Sequence, residues 1–129
     1  MANVPQDLYY TAQHEYLKPS DESGVYFVGI TDYAQTELGD IVFLELPTAG
    51  TTFAAGQAFG TIEAVKSVAD LYTPLAGEVV AANGALDDNP ALVNDDPYGE
   101  GWMVRLRLAD PSQVNGLLTA AQYEQLIAG

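Results

Sequence analysis

Residues 62 to 70 are Ile62-Glu63-Ala64-Val65-Lys66-Ser67-Val68-Ala69-Asp70, in which one lysine separates two largely apolar runs. The chain has only four basic residues, and lysine is depleted in β-strands. One interpretation is that Lys66 is a solvated side chain on one face of a strand. The other is that it lies at the tip of a hairpin, where it is displayed for chemistry.

The segments on either side of Lys66 favour the hairpin. Residues 58–65 and 67–72 predict two consecutive antiparallel strands, with Lys66 at their junction. The junction lacks the Asn-Gly, Asp-Gly or Gly-X pair that two-residue hairpin turns prefer. Ala64 and Ser67 are small, so they leave room for the active site of another protein to approach the amine closely.

Composition limits the classes of partner. The chain of 129 residues is 48% apolar and carries a net charge of −14, which indicates one folded domain, residues 1–129, rather than a disordered chain. Such a charge repels phosphate backbones and anionic lipid, so we expect neither nucleic-acid nor membrane binding. The acidity serves either solubility alone or steering towards electropositive partner proteins.

Other residue classes exclude further functions. There is no cysteine, which excludes disulfides, thiolate nucleophiles and sulfur-based zinc sites. No metal-binding or catalytic set of side chains is predicted. Residues 1–7 show no signal or transit peptide, and no apolar run approaches the roughly 20 residues of a membrane span. We therefore expect a cytoplasmic protein.

The order of short strands and turns predicts a mainly β fold, a β-sandwich or flattened barrel. A short helix is expected near 31–38, capped by Thr31 or Asp32 and ended by Gly39. After residue 110 the spacing of apolar residues changes from two to nearer four, which predicts a C-terminal helical tail at about 111–128. Its helix is expected to be capped at Thr119 or just before it.

Four finer expectations concern the faces and loops of these elements. In strand 40–47, Val42, Leu44 and Leu46 are expected on one face and Glu45 on the other. Residues 83–101 should be mostly turns and loop with short pairings. In strand 102–108, Trp102 should point inward and Met103 outward, and the C-terminal helix is indicated by the spacing of Leu117, Leu118, Ala121, Gln122, Leu126 and Ile127.

Several motifs occur in an order and at separations that identify a family. They are His14-Glu15, 29–35 (Gly-Ile-Thr-Asp-Tyr-Ala-Gln), 38–47 (Leu-Gly-Asp-Ile-Val-Phe-Leu-Glu-Leu-Pro), 62–67 (Ile-Glu-Ala-Val-Lys-Ser), 74–79 (Pro-Leu-Ala-Gly-Glu-Val), Leu92-Val93-Asn94, Pro97-Tyr98-Gly99 and Gly101-Trp102-Met103. With these motifs along nearly its whole length, the chain resembles the H protein of the glycine cleavage system.

The resemblance implies a lipoyl-domain-like fold, a barrel-sandwich hybrid, with a lipoyl-attachment hairpin at about 58–72. It implies lipoic acid joined covalently to Lys66 as N6-lipoyllysine by a lipoyl-attaching enzyme. The arm would shuttle the aminomethyl group of glycine from the pyridoxal-phosphate-dependent glycine decarboxylase (P protein) to the tetrahydrofolate-dependent aminomethyltransferase (T protein). Dihydrolipoamide dehydrogenase (L protein) would reoxidise it. The chain would then be a carrier and not an enzyme.

The resemblance also implies a surface cleft that receives the loaded arm. Glu15 and Asp70 align with family residues near that cleft, although both could be ordinary surface carboxylates. His14 is the only histidine, and we expect it to serve in hydrogen bonding rather than in catalysis, because no nucleophile or second ligand accompanies it. Tyr33 stands where some members have histidine, which leaves its contribution to the cleft open.

Alternative functions differ in how Lys66 would be used. A lipoyl relay that donates lipoyl groups to other 2-oxo acid dehydrogenase complexes would use the same lysine. A biotin carrier is disfavoured by Val65-Lys66-Ser67, since biotinyl turns resemble Met-Lys-Met. A Schiff-base enzyme would need a desolvated lysine, for which a hairpin tip is the wrong place.

Overall fold

The part of the chain that the structure describes contains nine strands and several short helices. A computed structural model describes residues 3–128. The strands are β1 (Tyr9–Tyr10), β2 (Glu15–Pro19), β3 (Val25–Ile30), β4 (Ile41–Glu45), β5 (Thr52–Phe53), β6 (Ala58–Ala64), β7 (Val68–Tyr72), β8 (Gly77–Ala82) and β9 (Val104–Leu108). The α-helices are α1 (Asp32–Leu38), α2 (Ala85–Asp88), α3 (Leu92–Asp95) and α4 (Ala120–Ala128), and a 3₁₀ helix spans Pro111–Gly116.

The strands form two antiparallel sheets that share one core. The larger sheet has six strands in the order β1-β2-β3-β9-β8-β5, and the smaller has three in the order β4-β6-β7. Leu17, Val28 and Leu106 of the first sheet and Ile62 and Leu71 of the second lie in the same buried cluster. The mainly β sandwich predicted from the sequence is therefore confirmed, and the sheets do not close into a barrel.

Both predicted helices are present, and each has the predicted cap. Thr31 accepts a hydrogen bond at Oγ1 from the N–H of Ala34 (3.2 Å) at the start of α1, and α1 ends at Gly39, which has φ of 84°. Thr119 caps α4 reciprocally with Gln122: each backbone N–H donates to the other's side-chain oxygen, which is a capping box. No helix within residues 3–128 is long and apolar enough to cross a membrane.

The segment 83–101 is more ordered than predicted. It contains α2 and α3, each of one turn. Most of the segment is turn and loop, as predicted, but the expected short pairings are absent from it. The two helical turns were not predicted, and each buries one apolar side chain in the core, Leu86 in α2 and Val93 in α3. Asn83 also supports α2, since its Oδ1 accepts a hydrogen bond from the N–H of Ala85 (3.2 Å).

Two predictions about the residues just before β9 were wrong. Met103, predicted to point outward, is fully buried, whereas Trp102 is only partly buried and packs against Phe27 with ring centroids 5.3 Å apart. The strand begins at Val104, so the strict alternation of a strand does not extend back to residues 102 and 103.

The faces of β4 and α4 also differ from the prediction. A β-bulge between Ile41 and Phe43 interrupts the alternation of β4 and leaves Val42 half exposed, while Leu44 is buried. In α4 the buried residues are Ala120 and Tyr123, not Ala121, Gln122 and Leu126, which are exposed. The buried face of α4 differs from the predicted one because Tyr123, a large aromatic residue, supplies more apolar surface for burial than its neighbours.

Gly60 holds β6 close to β4, and a substitution there provides a test of this packing. A Cβ atom at Gly60 would overlap the carbonyl oxygen of Glu45 on β4. We expect Gly60→Ala to lower the free energy of unfolding by about 1–3 kcal/mol, measured by urea denaturation. Gly84→Ala is the matched control because nothing lies within 4 Å of the added Cβ; equal stability of the two variants would contradict this packing.

Candidate functional site

Lys66 is exposed in the turn between β6 and β7. The pairing of Glu63 with Val68 brings the two strands together, and the N–H of Ala64 donates to the carbonyl oxygen of Ser67 (2.8 Å). The turn is also fixed from outside, since the N–H of Val65 donates to the carbonyl oxygen of Asp40 (3.0 Å). The lysine therefore projects from a turn that is hydrogen-bonded on both sides.

The turn has an unusual conformation for a two-residue hairpin loop. The favoured types I′ and II′ require positive φ, but within residues 3–128 the only non-glycine residue with positive φ is His14. Val65 and Lys66 therefore do not form a primed turn, which agrees with the absence of Asn-Gly or Gly-X at this position. The sequence indicated this departure, but not the hydrogen bond to Asp40 that supports it.

A cleft of about 330 Å³ lies between α1, the loop before β2 and the edge strand β7. Glu15 and Asp70, the two carboxylates singled out from the sequence, both line it. The other lining residues are Gln13, His14, Ile30, Tyr33, Ala34, Glu37, Leu38, Ile62, Ala69 and Leu71. The structure thus brings the two carboxylates to one cleft and includes Tyr33, whose contribution the sequence left open.

A second cavity adjoins this cleft on the side of Lys66. It has a volume of about 300 Å³ and is lined by Lys66, Val65 and the C-terminal end of α1. Glu37 and Leu38 line both cavities. The two cavities therefore lie side by side at the end of α1, from the lysine to the cleft that contains Glu15, and the cavity beside Lys66 is here called the groove.

Glu15 is a buried carboxylate that accepts hydrogen bonds from two donors. Its side chain accepts from Thr11 Oγ1 (3.1 Å) and from the backbone N–H of Tyr72 (3.2 Å) at the edge of β7. Burial raises the pKa of Glu15 to about 7, and the hydrogen bonds from Tyr72 and Thr11 oppose that shift only in part. Glu15 is therefore not an ordinary surface carboxylate, because its side chain is buried and is hydrogen-bonded inside the fold.

Asp70 has a different environment at the mouth of the cleft. Its side chain is exposed, and the hydroxyl of Tyr72 lies 3.5 Å from its Oδ2, which is a long contact. The two carboxylates of the cleft therefore differ in solvation, because Asp70 is in water and Glu15 is buried.

His14 forms part of the cleft wall and is held by α4. Its Nδ1 lies 2.8 Å from the hydroxyl of Tyr123, which in turn lies 2.7 Å from Oγ1 of Thr31. Burial lowers the pKa of His14, which favours the neutral ring, and Nδ1 shares a hydrogen bond with the hydroxyl of Tyr123. This agrees with the hydrogen-bonding role expected for His14.

The sequence analysis did not identify Tyr123 or α1 as parts of the cleft. Tyr123 joins the two walls of the cleft, since it contacts both His14 and the N-cap of α1, and it stacks on Tyr10 at 4.8 Å. The i, i+3, i+7 spacing of Ala120, Tyr123 and Ile127 was a signal that could have found its buried face. Within the described residues, no group of three or more His, Asp or Glu side chains could hold a metal ion.

Comparison with known proteins identifies the family. The family model described as glycine cleavage H-protein matches residues 8–129. The chain belongs to the glycine cleavage H-protein family. The resemblance found in the sequence is therefore confirmed, and the family is one of non-catalytic lipoyl carriers.

Individual H proteins match along nearly the whole chain. A glycine cleavage system H protein of Bacteroides thetaiotaomicron is 52% identical over 127 residues, covering 98% of this chain and 99% of its own. One of Chlorobaculum parvum is 55% identical over 125 residues, covering 97% and 98%. The crystal structure of an H protein from Mycobacterium marinum is 38% identical, covers 98% of this chain and 100% of its own, and has a TM-score of 0.87.

The raised pKa of Glu15 predicts a specific dependence of stability on pH. Because folding raises the pKa from 4.5 to about 7, the stabilisation associated with the Glu15 proton is complete below about pH 4.5 and is lost as pH rises to about 7. Relative to Glu15→Gln, the natural protein should lose on the order of 3 kcal/mol over this interval.

Urea denaturation of both proteins at several pH values measures this difference. Comparing the two proteins at each pH cancels the contribution of the other carboxylates. A difference in unfolding free energy that stays constant from pH 4.5 to 8 would show that burial does not raise the pKa of Glu15.

Proposed function

We propose that Lys66 carries a covalent lipoyl group and that this chain is the arm-bearing shuttle of glycine cleavage. The observation that carries the proposal is the exposed lysine at a fixed hairpin tip, beside the groove that adjoins the cleft of Glu15. The residues present fit the group, since the amine is accessible and the cleft offers apolar walls from Ile30, Leu38 and Ile62.

The bound lipoyl group would supply a dithiolane that accepts the aminomethyl group of glycine at the decarboxylase (P protein), gives it up at the aminomethyltransferase (T protein) and is reoxidised by dihydrolipoamide dehydrogenase (L protein). The chain itself provides position and shelter. The hydrogen bonds of Ala64 and Val65 fix the root of the arm, and tethering keeps the cofactor at a high effective concentration for each enzyme.

The cleft residues have separate parts in this proposal. Leu38 and Ile62 exclude water from the apolar walls, while Asp70 presents a carboxylate at the mouth. Glu15 holds or releases a proton on a buried oxygen near neutral pH. An aminomethyl amine that reaches Glu15 would therefore meet a carboxylate that can become charged to pair with it.

A lysine substitution tests the attachment site. Lys66→Arg keeps the positive charge but cannot form the lipoyl amide, so this variant should gain no lipoyl mass and support no glycine cleavage with the three enzymes. Lys18→Arg is the matched control, because Lys18 lies on β2, outside the residues that line the cleft and the groove, and should be lipoylated and active. Intact-mass spectrometry and glycine-dependent CO₂ release are the measurements.

Digestion of the denatured protein locates the modification. Trypsin does not cut after an acylated lysine, so lipoylated protein should give a fragment that ends at Arg105 without cleavage after Lys66. A lipoyl group found on Lys18, or full turnover by unmodified protein, would contradict the proposal.

A further inference from the structure

The surface around Lys66 carries most of the exposed apolar side chains of the molecule. In residues 3–128, five large hydrophobic residues are exposed, and four of them lie on β4 or beside the hairpin tip. They are Val42 (49% exposed), Phe43 (50%), Val65 (69%) and Val68 (66%), here called the hairpin-face patch. The fifth, Leu126, lies on α4. Single exposed hydrophobic residues are ordinary, but a cluster marks an interaction site.

The patch is continuous across the three-stranded sheet. Phe43, Glu63 and Val68 form one cross-strand row, since Glu63 pairs with both of the others. The N–H of Val65 donates a hydrogen bond to the carbonyl oxygen of Asp40, the residue just before β4. Adjoining positions on this surface are thus occupied by Lys66, Val65, Val68 and Phe43.

The bulge in β4 is what exposes the patch. A regular strand would alternate, but the register shift between Ile41 and Phe43 leaves both Val42 and Phe43 on the solvent side. Bulges re-aim side chains and are frequent beside functional sites. The core does not need this arrangement, because Ile41 and Leu44 already fill it.

We propose that the hairpin-face patch docks the enzyme that attaches the lipoyl group to Lys66. The proposal rests on the function proposed above. The enzyme would present an apolar recess with a lysine or arginine facing Glu63, which stands between Phe43 and Val68. This enzyme must bring the Lys66 amine into its own active site, whereas enzymes acting at the far end of a long arm need not contact its root.

The charges around the patch argue against a second copy of this chain as the occupant. Asp40, Glu45 and Glu63 are exposed around it, and both ion pairs found within residues 3–128 involve Glu22, elsewhere in the molecule. A symmetric dimer would place the same patch against itself and bring these carboxylates together. A partner with a basic rim gains attraction from the same charges.

The attachment reaction provides the test. The amine of Lys66 attacks the acyl carbon of lipoyl adenylate, AMP leaves with the electrons of the broken C–O bond, and the nitrogen gives up a proton. The rate is measured with purified unmodified chain, the attaching enzyme and lipoyl adenylate. We expect the double variant Phe43→Ser, Val68→Ser to lower kcat/KM by about tenfold or more, as loss of central interface side chains does.

The matched control is Leu126→Ser, which removes an equally exposed apolar side chain from α4 and should leave kcat/KM within about twofold. Glu63→Lys should slow attachment most at low salt and progressively less as salt rises, whereas Asp88→Lys on α2 should not. Thermal unfolding of each variant establishes that it is folded.

The outcomes separate this inference from the proposed function. If the natural chain is lipoylated and the double variant reacts as fast as Leu126→Ser, the docking inference is wrong and the carrier function stands. Normal attachment combined with impaired reaction at the decarboxylase, or loss of a dimer seen with the natural chain by sedimentation, would assign the patch to another occupant and also overturn the inference. Absence of lipoylation at Lys66 in the natural chain would overturn both.

Discussion

The pairing of β6 between β4 and β7 is the constraint on which the site depends. Ile62 and Ala64 are buried between the sheets. The N–H of Ala64 donates to the carbonyl oxygen of Ser67, and the N–H of Val65 donates to that of Asp40. With these positions fixed, the chain can only reverse at Lys66, which has no place in the core. An unbonded tip would let the lysine move relative to the groove beside it. The sheet therefore determines both the exposure of the lysine and its position relative to α1.

The cleft depends on contacts between distant parts of the chain. The hydroxyl of Tyr123 on α4 bridges His14 and Thr31, so the C-terminal helix holds both the loop before β2 and the start of α1. Glu15 bonds to the free edge of β7 through the N–H of Tyr72, which satisfies a backbone donor that would otherwise face an apolar cleft. The same burial gives Glu15 a pKa of about 7. Structural support and a proton-exchanging group are thus combined in one side chain.

Features that local sequence determines could be predicted, and those set by distant contacts could not. The caps at Thr31 and Thr119 and the strands on either side of Lys66 follow from short-range patterns. The exposure of Val42 does not, because Val42, Leu44 and Leu46 alternate as a regular strand would, and the bulge arises only from pairing with β6. The burial of Glu15 depends on Thr11 and Tyr72, and that of Tyr123 on Tyr10 and His14. Family resemblance pointed to Glu15 without the physical reason for its burial.

An arm on Lys66, as proposed above, should lie along the groove past α1 and reach the cleft of Glu15. The most direct test of this path is a comparison of backbone amide chemical shifts between the unmodified protein and the protein with a lipoylated, aminomethyl-loaded Lys66. We expect shift changes that continue from Ser67 through Leu38 to Ala69 and Glu15, with little change at Lys18 and Arg105 on the other sheet. Changes confined to the neighbours of Lys66, or located on the six-stranded sheet, would contradict it.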